Sequence, residues 1–142
     1  MSETNVAFIL LASGFDELFV VKCFSQLQQD GFQVHLISAR SNRIRGQRGI
    51  EIVPQMSIGQ LFKGSQNLSC DIAVIPEPQE CISQIFLNPI FYEFLRVIIK
   101  NGSKIMSPSS SVQELLNKSG LFETLSEREL FVQLDDFNSS SK

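Results

Sequence analysis

Residues 6–19 have the sequence VAFILLASGFDELF, and this stretch decides the fold class. Its first seven residues are all apolar, which is typical of a strand that is buried on both faces of a parallel sheet. A Ser-Gly turn follows. From Asp16 to about Gln29 the apolar residues recur at helical spacing, at Leu18, Val21, Phe24 and Leu27. Gly31 then stands where a helix-ending glycine is expected, so the stretch predicts a first strand-helix unit.

The same alternation of apolar strands and helical segments continues along the chain. It predicts strands at 33–38, 50–53, 71–76 and 104–106, and helices at 57–62, 80–87, 90–100 and 107–118. Ser107 is the predicted N-cap of the last helix, with Pro108 as its first residue. Such alternation predicts right-handed crossovers, and hence an α/β, flavodoxin-like three-layer sandwich with a mainly parallel sheet and helices on both faces. We expect a single domain over residues 1–134, with a last strand at 130–134, and a disordered polar tail at 135–142.

Composition and charge argue against several classes of function. The 142 residues are 43% hydrophobic and 19% charged, and the net charge of −3 gives no general attraction to nucleic acid or to an anionic membrane. Cys23, Cys70 and Cys81 lack the spacing of a metal site, so neither a metal nor another cofactor is expected. The sequence has no signal-peptide pattern and no apolar run of the roughly 20 residues that span a membrane. We expect a cytoplasmic protein with reduced thiols.

Three segments carry a resemblance to a known family: VAFILLASGFDELF at 6–19, CDIAVIPEP at 70–78 and NGSKIMSPSSSVQELLNKSG at 101–120. They resemble the ThiJ/PfpI family, whose members are relatives of class I glutamine amidotransferases. Similar segments in that family form an opening strand, turn and helix, then a strand with a glycine pair, then an elbow with its helix. The resemblance implies a cysteine nucleophile on a strained elbow, an acid from the first helix and an oxyanion hole of backbone N–H groups.

The chain departs from that family pattern at each catalytic position. The elbow cysteine falls at Pro108, which has no thiol and whose φ is fixed near about −65°. The supporting acid falls at Phe19, with Asp16 and Glu17 out of register. The glycine pair is replaced by Glu-Pro, and Pro78 has no N–H to donate to an oxyanion. Joint loss of the three groups predicts a non-enzymatic regulatory or protein-interaction module with a lost catalytic site.

Two other functions stay open at this stage. One is a serine-based hydrolase or glyoxalase-like enzyme of the same family, which would use Ser107 or Ser109 in place of cysteine. The other is a metabolite-sensing domain that acts with a separate transcription regulator. The single histidine, His35, lies in the middle of a predicted strand, where a structural role is expected. A phosphoacceptor receiver is set aside, because the strand at 71–76 does not end in aspartate.

Clustered arginines predict an anion site as one alternative. Four arginines lie within nine residues of one polar loop, and serines follow at the start of the last helix. A phosphate or carboxylate would be bound by guanidinium and hydroxyl groups from both segments, at Arg43, Arg45, Arg48, Ser109 and Ser110. The other interpretation is a solvated loop and an ordinary capped helix. A small anionic ligand is therefore a possible partner.

The helix at 90–100, IFYEFLRVIIK, is apolar around more of its circumference than one core-facing stripe requires. Such breadth indicates either deep burial or a contact with another chain. We favour the contact, through Phe91, Phe94, Leu95 and Ile98 together with Phe131. The sequence therefore predicts a homo-oligomer, such as a homodimer, or a complex with a protein partner.

Overall fold

A computed structural model describes residues 5–39, 43–64, 70–109, 111–118 and 131–132. Eight strands are assigned there: β1 Asn5–Leu11, β2 Phe32–Ser38, β3 Ile44–Arg45, β4 Glu51–Ile52, β5 Met56–Ser57, β6 Ile72–Val74, β7 Lys104–Met106 and β8 Phe131–Val132. Five helices accompany them: α1 Glu17–Gln29, α2 Ile58–Gly64, α3 Gln79–Leu87, α4 Pro89–Lys100 and α5 Ser111–Lys118. The alternation confirms the predicted α/β, flavodoxin-like fold.

The main sheet has six strands in the order β5-β2-β1-β6-β7-β8, and each of these neighbours pairs in parallel. The centre is β1, which pairs with β2 on one side and β6 on the other. Its residues 7–11 are buried, which explains why this strand is apolar without interruption. Strand order reverses direction between β1 and β6, and the carboxyl ends of these two strands therefore flank the crevice where such sheets bind ligands.

The two faces of the sheet carry different helices. On one face the ring of Phe8 in β1 stacks on Phe94 of α4, with 6.0 Å between ring centroids, and meets His35 of β2 edge-on. Neighbouring side chains along a strand point to opposite faces. Leu36 accordingly faces α1, where it lines a groove with Val20 and Phe24. Helices α2 and α3 pack against α4, so α2, α3 and α4 share the face opposite α1.

Helix α4 is buried rather than exposed, which corrects the predicted contact surface. Phe91, Phe94, Leu95 and Ile98 are each 2% exposed or less, because α4 is covered by the sheet, α2 and α3. Phe131 begins β8, and its side chain lies outside the described residues. Among the described residues no single helix is long and apolar enough to span a membrane; α3 and α4 meet the criterion only as a pair bent by 85°.

Residues 44–52 form an antiparallel hairpin, β3–β4, apart from the main sheet. The sequence predicted a loop up to residue 49 and a strand at 50–53. Strand β4 lies within the predicted strand, but it pairs with β3 in the hairpin instead of joining the main sheet, and β3 forms inside the predicted loop. Two glycines form the turn between the two strands. The Gly46 N–H donates to the Ile50 carbonyl at 2.9 Å, and Gly49 has a φ of +97°. The edge of the sheet is instead taken by β5, which pairs with the end of β2.

Two further predictions concern the last third of the chain. Helix α5 begins at Ser111 rather than Ser107, because residues 107–109 form a local turn in which the Ser107 hydroxyl accepts the Ser109 N–H. Strand β8 falls within the strand predicted at 130–134. The predicted polar tail at 135–142 lies outside the described residues.

Candidate functional site

Three segments that the family resemblance singled out come together at the carboxyl ends of β1, β6 and β7. The Asp16 N–H donates to the Glu77 carbonyl at 2.9 Å, which joins the turn after β1 to the turn after β6. The Ser111 hydroxyl donates to Oε1 of Gln79 at 3.0 Å, which joins α5 to the start of α3. The elbow-like segment therefore lies beside the crevice at the reversal of strand order.

The serines of the elbow segment bond to each other and to an amide. Ser107 is fully buried, and its hydroxyl oxygen accepts the Ser109 N–H at 3.2 Å. The hydroxyls of Ser109 and Ser111 are 2.9 Å apart, and Ser111 donates onward to Gln79. The chain's single histidine is in the middle of β2, in contact with Phe8. Ser110 lies outside the described residues. Within the described contacts no base is placed to activate a serine.

At the three positions where the chain departs from the family pattern, neither the residue itself nor its local structure supplies a catalytic group. Phe19 is partly buried in the first turn of α1 and packs against the core. Pro78 immediately precedes α3 and has no N–H. No described residue other than glycine has a positive φ, so Pro108 does not adopt the strained backbone of a nucleophile elbow.

The cysteines elsewhere in the chain do not replace the missing thiol. Cys23, Cys70 and Cys81 are all buried. Burial raises the pKa of Cys23 to about 12, that of Cys70 to about 12 and that of Cys81 to about 11. A thiol with such a pKa is almost wholly protonated near neutral pH, and only the thiolate is a good nucleophile. The cysteines therefore act as small packing residues.

Glu17 is the central acid of this region, and sequence reasoning gave it no role. Its side chain is only 3% exposed, and its carboxylate accepts the Arg48 N–H at 2.8 and 3.1 Å and the Ile50 N–H at 3.1 Å. Burial acts to raise the pKa of Glu17, but the backbone hydrogen bonds and the charge of Arg48 outweigh it and lower the pKa. A carboxylate on the first residue of α1 thus holds the turn of the β3–β4 hairpin.

Asp16 and further backbone bonds complete this attachment. Asp16 caps α1 by accepting the N–H groups of Leu18 and Phe19, and its Oδ1 lies 2.8 Å from the Arg48 guanidinium. Burial raises the pKa of Asp16, yet the bond to Arg48 and the cap bonds leave it lowered. Backbone N–H groups of residues 14 and 47 donate across the junction at 2.8 and 2.9 Å. The hairpin is therefore fastened over the end of β1.

The arginine loop is largely neutralised by neighbouring acids. Arg43 and Arg45 both pair with Glu51, at 3.5 and 3.6 Å, and Arg48 pairs with Asp16. No described contact joins these guanidinium groups to Ser109. The structure thus divides the predicted anion site instead of assembling it, because the basic loop is folded into a hairpin that carries its own counter-charge.

The lowered pKa of Glu17 gives a pH-dependent prediction for Glu17→Gln. The ordinary pKa is 4.5, and folding lowers it, so the carboxylate contributes stability above pH 4.5 that is lost as the pH falls through the lower folded pKa. At pH 7 we expect Glu17→Gln to melt about 5 °C or more below the native protein. The gap should close on acidification, when both proteins carry a neutral side chain. Thermal melts across the pH range measure it.

The matched control is Glu114→Gln, which removes the same charge from an exposed position in the first turn of α5. Its melting temperature should follow that of the native protein within about 2 °C at every pH, as is usual for surface substitutions. A Glu17→Gln deficit that is the same at pH 7 and at pH 3 would contradict the assignment.

The fold and this junction define a doubly wound α/β domain whose elbow segment follows β7, beside the crevice at the reversal of strand order, and has a proline at the nucleophile position. The chain belongs to the DJ-1/PfpI family: the family model matches residues 5–125. This confirms the resemblance found in the sequence. No curated protein sequence matches the chain.

Solved structures similar to this chain share its fold at low identity. A DJ-1 superfamily protein from Salmonella typhimurium is 19% identical with a TM-score of 0.71, over 93% of this chain and 75% of that chain. DJ-1beta of Drosophila melanogaster is 16% identical with a TM-score of 0.71, over 93% and 74%. Oxidised DJ-1 of Toxoplasma gondii is 17% identical with a TM-score of 0.71, over 85% and 64%. This chain therefore spans about two thirds to three quarters of their lengths.

Proposed function

We propose that this chain is a non-enzymatic member of the DJ-1/PfpI family that acts as a regulatory module through protein association. The observation that carries the proposal is Pro108 at the elbow position, beside the fully buried Ser107. Phe19 and Pro78 support it, because neither side chain can transfer a proton or stabilise an oxyanion. The serine-based alternative is weaker, since the described hydroxyls bond to one another and to Gln79.

Catalytic assays test this proposal directly. With methylglyoxal, a nitrophenyl ester and a peptide substrate we expect rates equal to those of buffer, because nucleophile, acid and oxyanion donor are missing together. Ser109→Ala should give the same traces as the native protein. A DJ-1/PfpI protein that keeps the elbow cysteine serves as the positive control for each assay. Turnover by the native protein that Ser109→Ala abolishes would establish the serine enzyme and overturn the proposal.

Association has a candidate surface on the outer side of α1 and the β3–β4 hairpin. Four large apolar side chains there are 56–65% exposed; they are Leu18, Val21, Ile50 and Val53. Between them runs a groove of about 290 Å³, lined by Val20, Val21, Phe24, Ser25, Leu36 and Ile52. We call these residues together the α1–hairpin surface. Of the described residues that line the groove, Ser25 alone is polar.

We assign this surface to a second copy of the chain. A two-fold interface brings the same patch from each subunit together, so it requires a patch that is complementary to itself. The α1–hairpin surface carries both protruding apolar side chains and an apolar groove, and the hairpin that contributes Ile50 and Ile52 to it is fixed to α1 by Glu17. A surface that is already held in shape loses little conformational freedom on association.

A further inference from the structure

A second concavity lies on the opposite face of the sheet from α1. It is a cleft of about 380 Å³ at the carboxyl ends of β1 and β2, bounded by the α3–α4 junction, and it is lined by Leu11, Ala12, Ser13, Ala39, Arg43, Ile44, Gln84, Asn88 and Phe91. A volume near 400 Å³ is typical of small-molecule sites, and this edge of a parallel sheet is where they form. The cleft is separate from the elbow segment, since none of residues 107–109 lines it.

The lining combines an apolar floor with a polar rim that contains one charge. Among the described residues that line the cleft, Arg43 is the only one with an ionisable side chain, and that side chain is 74% exposed. Ser13 and Asn88 add neutral donors. The side-chain Oδ1 of Asn88 accepts the Ile90 N–H at 2.9 Å to cap α4, which leaves the side-chain NH₂ as the group to face a ligand. Gln84 is held by donating to the Ser13 carbonyl at 3.1 Å.

We propose that this cleft binds a small organic monocarboxylate with an apolar body. The carboxylate would pair with Arg43 and accept from Ser13 or Asn88, while the body would pack against the partly exposed Ala39 and Ile44. A guanidinium binds a planar carboxylate through two parallel N–H groups. None of the described lining residues is acidic and able to repel an anion, and the single cation among them matches a single negative charge. The existing partner of Arg43, Glu51 at 3.5 Å, is an exposed contact that a ligand can displace.

Two ligands of the same shape test the role of the charge. The probes are 4-phenylbutyrate and its neutral amide, 4-phenylbutyramide, each titrated into the isotope-labelled native protein while amide NMR shifts are followed. We expect saturable shifts for the acid that centre on Ser13, Arg43 and Asn88, with the amide binding about tenfold or more weakly. Absence of saturable binding by the acid at millimolar concentration, or equal binding of the two probes, would overturn the proposal.

Two arginine variants locate the binding. Arg43→Gln should weaken 4-phenylbutyrate about tenfold or more, whereas Arg45→Gln should leave its affinity within about twofold. The control is closely matched, because Arg45 pairs with the same Glu51 at 3.6 Å and is 69% exposed, but does not line the cleft. Equal losses in the two variants would show attraction by the loop as a whole and overturn the assignment. The proposed lack of catalysis is tested separately by the enzyme assays, which this titration does not affect.

Discussion

Val21→Glu is expected to convert a dimer of this protein into a monomer. Val21 is 63% exposed in the free chain and lines the groove of the α1–hairpin surface, so the substitution leaves the core intact and places a carboxylate at the proposed interface. A two-fold interface buries that charge twice, without a partner. Light scattering after size exclusion at micromolar concentration should give a dimer for the native protein and a monomer for Val21→Glu. The dissociation constant should rise by at least about a hundredfold.

Leu87→Glu provides the control for this experiment. Leu87 is 82% exposed at the end of α3, so the same charge enters an apolar position that is more exposed than Val21 and lies on the other face of the sheet. The control should remain a dimer, and circular dichroism should show folded protein for both variants. A native protein that is monomeric at these concentrations contradicts the proposed association. Dissociation by Leu87→Glu with none by Val21→Glu contradicts the assignment of the interface to the α1–hairpin surface.

Helical spacing predicted α1 correctly but not the direction in which it faces. The predicted stripe ran through Leu18, Val21, Phe24 and Leu27. Leu27 is buried as expected, but Leu18 and Val21 are exposed, and Val20 and Cys23 complete the core side of the helix instead. The helix carries two apolar stripes, and periodicity identifies both without choosing between them. Only the position of the sheet decides which stripe is buried. The stripe left outside is the one that forms the α1–hairpin surface.

Helix α4 presents the opposite case. Its broad apolar circumference indicated burial or contact with another chain, and the structure buries it between the sheet, α2 and α3. The sequence alone did not separate the two, because the number of elements that pack around a helix is a tertiary property. The elbow segment was easier to assess, since a proline at position 108 excludes a thiol and a left-handed backbone by residue type alone.

The role of Glu17 had no sequence signal for a different reason. Its carboxylate accepts N–H groups from a loop 31 to 33 residues away, and any carboxylate in the first turn of a helix is favourable there in its own right. Nothing local therefore distinguishes a buried acid from a solvated one. The informative residue is Gly46, whose backbone lies against the Glu17 side chain, but a glycine in a polar loop is ordinarily taken as a turn residue.

Gly46→Ala is expected to be strongly destabilising and to loosen the hairpin from α1. A Cβ at this position would lie 2.4 Å from the carboxyl carbon of Glu17, and that carboxylate cannot withdraw without losing the N–H groups of Arg48 and Ile50. The φ of Gly46 is not positive, so the cost comes from lack of space and not from backbone strain. We expect thermal melts at pH 7 to show a loss of about 10 °C or more.

Gly59→Ala is the matched control, because its Cβ would meet nothing nearer than the Ser57 hydroxyl oxygen at 3.9 Å, at an exposed position in α2. Alanine is the better helix former, so this variant should melt at or slightly above the native temperature. The two variants add the same methyl group and differ in what it meets. If Glu17 fixes the hairpin that carries Ile50 and Ile52, Gly46→Ala should also weaken dimerisation in light scattering while Gly59→Ala does not. A Gly46→Ala protein as stable and as dimeric as Gly59→Ala would show that the Glu17 carboxylate and the hairpin can move apart freely. The hairpin part of the α1–hairpin surface would then not be rigid, and the argument that this surface is held in a self-complementary shape would fail.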